Sequence, residues 1–123
     1  MTDRSLNALF GMDRQGRDWA VIVQCLRACA DGPFFPESEF QTLFGLTRPE
    51  FRELAAEVVA GAAVIDAQDA VVNALNHLLG YPHDQDAAWP LWVSASPDEV
   101  SHVLQRCLGS MSANPQLKTL EAS

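Results

Sequence analysis

Apolar residues recur at helical spacing in successive stretches of the chain, separated by Gly, Pro and polar residues. In residues 17–31, Trp19, Ile22, Val23, Leu26, Cys29 and Ala30 fall at i, i+3, i+4, i+7, i+10 and i+11, which is one stripe along a helix. Val21 and Cys25 widen that stripe, so this helix is expected to be the most buried. A strand through 20–23 competes for the same residues. The continuation of the stripe to Ala30 favours the helix, and Gly32-Pro33 ends it.

Residues 36–45 predict a short helix opened by Pro36, with Glu37 and Glu39 at the positive end of its dipole. Phe40, Leu43 and Phe44 point inward, Phe34 and Phe35 pack ahead of the first turn, and Gly45 suits the left-handed position that terminates a helix. Residues 48–60 predict the next helix. Thr47 and Glu50 are spaced as a capping box, and Phe51, Leu54, Ala55, Val58 and Ala62 share one face. Arg48, Arg52, Glu53 and Glu57 are expected away from that face, and Gly61 breaks the helix.

Residues 67–79 predict a helix with Asp66 as N-cap, an inward stripe of Val71, Val72, Leu75, Leu78 and Leu79, and a stop at Gly80. The last predicted helix is 97–108. Ser96 caps it, Pro97 opens it, Glu99 completes a second capping box, and Gly109 ends it. Its inward residues are Val100, Val103, Leu104, Cys107 and Leu108.

Three stretches lack this rhythm. Residues 1–16 read as a loosely attached arm, in which Leu6, Ala8, Leu9, Phe10 and Met12 can form one docking turn. Residues 110–123 read as a tail. Residues 81–95 form a connection longer than most, which marks them as functional ground. The expected fold is all-α, a compact irregular bundle of about five helices with one long ordered loop and a single domain over 17–109. Leu9-Phe10-Gly11-Met12-Asp13-Arg14 echoes Leu43-Phe44-Gly45-Leu46-Thr47-Arg48. With two copies and unlike helices after them, the echo reads as a shared stop-and-start device rather than a repeat array.

Composition narrows the function classes. A chain of 123 residues holds one core, and 48% apolar against 20% charged residues excludes wholesale disorder. Sixteen acidic residues face eight basic ones, for a formal charge of −8. Lys118 is the only lysine, and Arg4, Arg14, Arg17, Arg27, Arg48, Arg52 and Arg106 are scattered. That balance disfavours nucleic acid and anionic membranes, both of which are held by basic stripes, and favours a basic partner or a cation. No leader-like apolar segment follows Met1, and no window approaches a membrane span, so a soluble cytoplasmic protein is expected. Cys25, Cys29 and Cys107 lie on core stripes with no CxxC spacing, as reduced core thiols do.

Candidate chemistry is sparse. Asn73, Asn76 and His77 lie at i, i+3 and i+4 on one helix, with Tyr81 just beyond it. Asparagine is a poor helix former. This row is therefore either a partner-facing strip or a set of ties for the backbone of 81–95, and the ties are the favoured reading. His77, His83, Asp84 and Asp86 are the one grouping of metal-ligand types, without a zinc signature. His102 has Asp98 one turn away as a simpler partner. No GxSxG, GxGxxG or Walker loop occurs, so no catalytic residue, cofactor or metal is assigned. Trp89 and Trp92 are either a lid on the core or interface anchors, with the lid favoured.

The leading functional expectation is a non-enzymatic acidic protein-binding module, in one concrete form an immunity- or antitoxin-like neutraliser of a basic partner. Its candidate surface is Asn73, Asn76, His77, Tyr81, His83, Asp84, Asp86 and Trp89. The first alternative is a small metal- or ligand-binding enzyme domain using His77, His83 and neighbouring carboxylates. The second is a structural homodimer through the apolar 34–51 region.

Overall fold

The structure, a computed structural model, describes residues 9–61 and 67–112. Within them the chain is all-helical, in the order α1 (Arg17–Asp31), α2 (Glu37–Phe44), α3 (Arg48–Ala60), α4 (Ala67–Gly80), α5 (Trp89–Trp92) and α6 (Pro97–Ser112), preceded by a 3-10 turn at Leu9–Gly11. No strand forms among the described residues, so the helical reading of 20–23 holds. No helix among them is long and apolar enough to cross a membrane.

Helix α1 is the centre of the bundle, as its wide apolar surface requires. Trp19, Val21, Ile22, Cys25, Leu26, Ala28, Cys29 and Ala30 are buried, and water reaches chiefly Arg17, Ala20, Arg27 and Asp31. Helices α3, α4, α5 and α6 all pack against it. Helix α4 also packs on α2 and α6 through Ala67, Val71, Ala74, Leu75 and Leu78. Ala67 and Ala74 are additions to the expected stripe, while Val72 and Leu79 are only half-buried. All five phenylalanines of 34–51 are buried, and four of them, Phe35, Phe40, Phe44 and Phe51, form one ring cluster, while Phe34 packs with His83 and Trp89. Phe40 stacks on Phe44 at 4.5 Å, and Phe44 also meets Phe35 at 5.0 Å and Phe51 at 5.1 Å.

The caps explain where the helices begin and end. Thr47 and Glu50 form the full capping box of α3, and Gly45 and Gly61 end α2 and α3 with φ of 74° and 91°, a region that side-chain-bearing residues avoid. The box expected at α6 is half built. Ser96 Oγ accepts from the Glu99 N–H, but the Glu99 carboxylate turns to Arg17 instead. Helix α6 runs through Gly109 to Ser112 rather than ending at Gly109, because glycine stops a helix only where the chain must turn and here nothing requires it. Asp66 and Ala62 lie outside the described residues, as do 1–8 and 113–123 of the expected arm and tail.

Two further expectations need correction. Arg48 does not point away from the core. Its side chain is 15% exposed and donates to the carbonyls of Cys29, Ala30 and Phe35 while its guanidinium lies 4.5 Å from the Phe40 ring centre. Largely burying a cation is tolerated there because three carbonyls and the Glu37 carboxylate accept from it. The stretch 81–95 is not all loop, since Trp89–Trp92 make one helical turn. Trp89 is 7% exposed, and its indole N–H donates to the Ala95 carbonyl at 2.7 Å. It acts as a lid over the edge of Phe34, while the next residues reach outward, with Leu91 83% exposed.

Candidate functional site

The distribution of charge is decided by where the arginines go. Four cross-helix ion pairs are present among the described residues: Arg17–Glu99 at 3.0 Å, Arg48–Glu37 at 2.8 Å, Arg52–Asp31 at 2.8 Å and Arg106–Asp18 at 2.6 Å. Arg14 donates to the Val59 carbonyl and lies over the Trp19 ring. The hydrogen bond from Arg106 holds the Asp18 carboxyl below its ordinary range, and the one from Arg17 does the same for Glu99. Asp98 and His102, expected as a local pair, are both exposed and form no ion pair. Glu53, Glu57, Asp69, Asp84, Asp86 and Asp98 face water with no described basic group at ion-pair distance.

The predicted surface residues divide into two groups. Asn73, Asn76 and His77 lie on α4. Asn73 Nδ2 donates to the Leu43 carbonyl at 3.4 Å, His77 packs against the Phe44 ring at 5.2 Å, and Asn76 is exposed. The asparagines thus do not tie down 81–95, as the favoured reading had it. Asn73 ties the end of α2, which stands nearer to it. The loop is held by other means, among them Gln24 Oε1, which accepts from the Ser94 N–H at 2.7 Å, and the buried Trp89, whose indole donates to the Ala95 carbonyl.

In the second group, Tyr81 donates its hydroxyl to Glu39 at 2.9 Å, which raises the phenol above its ordinary range, and its ring meets Phe35. His83 Nδ1 accepts from the Gln85 N–H, and its ring lies 4.9 Å from Phe34 and 6.4 Å from Trp89. Asp84 and Asp86 are exposed, and Trp89 is inside. Both histidines therefore pack against aromatic rings. No group of three or more His, Cys, Asp or Glu comes together among the described residues. The cysteines are buried thiols. Burial pushes Cys25 and Cys107 up to about 12 and Cys29 well above its usual value.

An open groove of about 630 Å³ lies between α3 and α4. It exists because both helices pack on α1 and on α2 but make little contact with each other. Phe44, Leu46, Leu54, Ala70 and Val72 give its apolar floor, and Glu50, Asp69, Asn73 and Asn76 its polar border. Of these, only the two asparagines were singled out from the sequence. The available signal was the run Asp69, Val72, Asn73, Asn76 at i, i+3, i+4 and i+7, which places an apolar residue on an otherwise polar face. Comparison with protein-family models, curated proteins and solved structures gives no match for this chain.

Proposed function

We propose that the chain is a non-enzymatic protein-binding module whose acidic exterior receives a basic partner. The observation that carries this reading is the pairing of arginine: Arg17, Arg48, Arg52 and Arg106 are paired with carboxylates of neighbouring helices, and Arg14 and Arg48 donate to backbone carbonyls. The carboxylates left over, among them Glu53, Glu57, Asp69, Asp84, Asp86 and Asp98, outnumber Arg14 and Arg27, the arginines without a carboxylate partner among the described residues, and this excess negative field speeds and orients encounter with a positive surface. Neutralisation of a basic protein is one form this activity takes. The packing of His77 and His83 against aromatic rings lends no support to the metal- or ligand-binding alternative. A reducing, cytoplasmic setting suits three unpaired thiols.

The test is affinity capture from the source organism's extract by the native protein and by a variant carrying Glu53→Lys, Asp69→Lys, Asp86→Lys and Asp98→Lys. Each reversal adds two charges, so the four together cancel the formal −8. The native protein should retain a basic protein that elutes by about 1 M salt, where screening acts within about 3 Å, and the variant should retain none of it. Retention of the same protein by the variant at high salt, or of nothing by either, contradicts the reading.

A further inference from the structure

The groove between α3 and α4 has an apolar floor, carboxylates on both walls, and no basic residue among the described residues that line it. Leu46, Leu54 and Val72 are half-buried at its base, although the core behind them is filled. Glu50 stands on the α3 side and Asp69 on the α4 side, both exposed. On α3, Glu53 and Glu57 follow Glu50 at i+3 and i+7, so the acidic line continues along that helix. On α4, the lining runs from Asp69 to Asn76, two helical turns or about 10 Å.

An apolar trough of two turns with acidic sides matches the shape and charge of an amphipathic helix that carries leucine-like anchors on one face and lysine or arginine at its flanks. We infer that this groove binds a basic amphipathic helix of another protein. The inference rests on the acidic-module reading and gives that module its place of contact. Apolar anchors displace water from the floor and supply the affinity. The flanking cations meet Glu50 and Asp69 and set the orientation, while Asn76 offers a donor and an acceptor to the guest's polar edge. An acidic helix is rejected by the same carboxylates.

The probe is a dye-labelled peptide of about 18 residues, about five helical turns, with leucine at i, i+3, i+4 and i+7 and lysine on both flanks. Two companions replace lysine by glutamate, or interrupt the helix with proline at the same composition. Fluorescence anisotropy at about 0.15 M salt measures binding to the native full chain and to Asp69→Lys, Asp86→Lys and Asp98→Lys, which change the net charge equally. All three positions are exposed, and a native circular-dichroism spectrum is required of each variant before its binding is compared. The lysine peptide should bind saturably and the companions should not. Asp69→Lys should weaken it by at least about five-fold, and the other two variants by less than about two-fold.

Equal weakening by all three variants would mean diffuse attraction, which overturns the groove and leaves the acidic-module reading standing. A loss confined to Asp86→Lys moves the contact to the 81–95 segment and overturns the groove as well. Absence of saturable binding overturns it too, and the capture experiment then decides separately whether the broader reading survives. A native dimer that excludes the peptide and is broken by Asp69→Lys would show a second copy as the occupant, again against the inference.

Discussion

The guanidinium of Arg48, on the first residue of α3, donates to the Phe35 carbonyl at 2.7 Å. The same side chain reaches Cys29 and Ala30 at the C-terminal end of α1 and Glu37 at the start of α2, so one residue joins three helices. It also sits where the carbonyl ends of α1 carry partial negative charge. Arg48→Ala leaves three carbonyls without this donor. It should lower stability by about 2–3 kcal/mol, read as a shift in the urea midpoint at constant slope. Arg48→Lys keeps the charge but loses the planar fork, and should recover less than half of the loss.

Trp89 packs against Phe34, next in sequence to the Phe35 whose carbonyl Arg48 holds. Trp89→Phe retains most of the apolar area but strands the Ala95 carbonyl that the indole N–H serves at 2.7 Å. A cost of about 1–2 kcal/mol is expected. Leu91→Ser, two residues away on a side chain 83% exposed, should change stability by less than about 0.5 kcal/mol. Parallel urea titrations of the two variants check the contrast, and equal costs would mean that the lid is placed wrongly.

Burial raises all the described thiols, Cys25 and Cys107 to about 12. A thiol reagent at pH 8 should therefore leave the native protein unmodified for as long as it stays folded, and should titrate all three cysteines at once in denaturant. Rapid labelling of one cysteine under native conditions would count against the packing of α1 and α6.

The depressed carboxyls of Asp18 and Glu99 make stability depend on acid. Their folded pKa values lie below those of the unfolded chain, about 3.9 for Asp and 4.3 for Glu. The contribution is thus complete above the unfolded values and disappears as pH falls through the folded ones. Thermal unfolding followed from pH 6 to pH 2 should show a drop on the acid side. Asp18→Asn and Glu99→Gln should each start from a lower plateau and fall less steeply. Both groups are partly exposed, so the effect is modest and shrinks in salt.

Most of the fold was legible because the signals were local. The stripe Trp19 to Ala30, the Thr47–Glu50 box and the stops at Gly45 and Gly61 all depend on neighbours in sequence. The echo between Leu9–Arg14 and Leu43–Arg48 also has a physical counterpart. In each, a buried Phe precedes a glycine with positive φ, and the following Arg lies over an aromatic ring and donates to a backbone carbonyl. What could not be read was the long-range use of polar side chains. Arg48 looked like an outward charge, since its acceptors lie eleven or more residues away. Asn73 seemed suited to the loop that follows its helix, whereas its amide donates to the Leu43 carbonyl, thirty residues earlier in the chain. The groove was equally hidden, because a gap between α3 and α4 depends on how each packs on α1 and α2 and not on either helix alone.

The most direct measurement is an amide chemical-shift map of the isotope-labelled protein titrated with the lysine–leucine peptide. Shifts are expected to concentrate at Leu46, Leu54, Asp69, Asn73 and Asn76, and to need more peptide at about 1 M salt, where the Debye length is about 3 Å and the flanking charges are screened while the apolar anchors are not. A map centred on the 81–95 segment, or spread evenly over the exposed carboxylates, would contradict the assignment of this groove as the binding site.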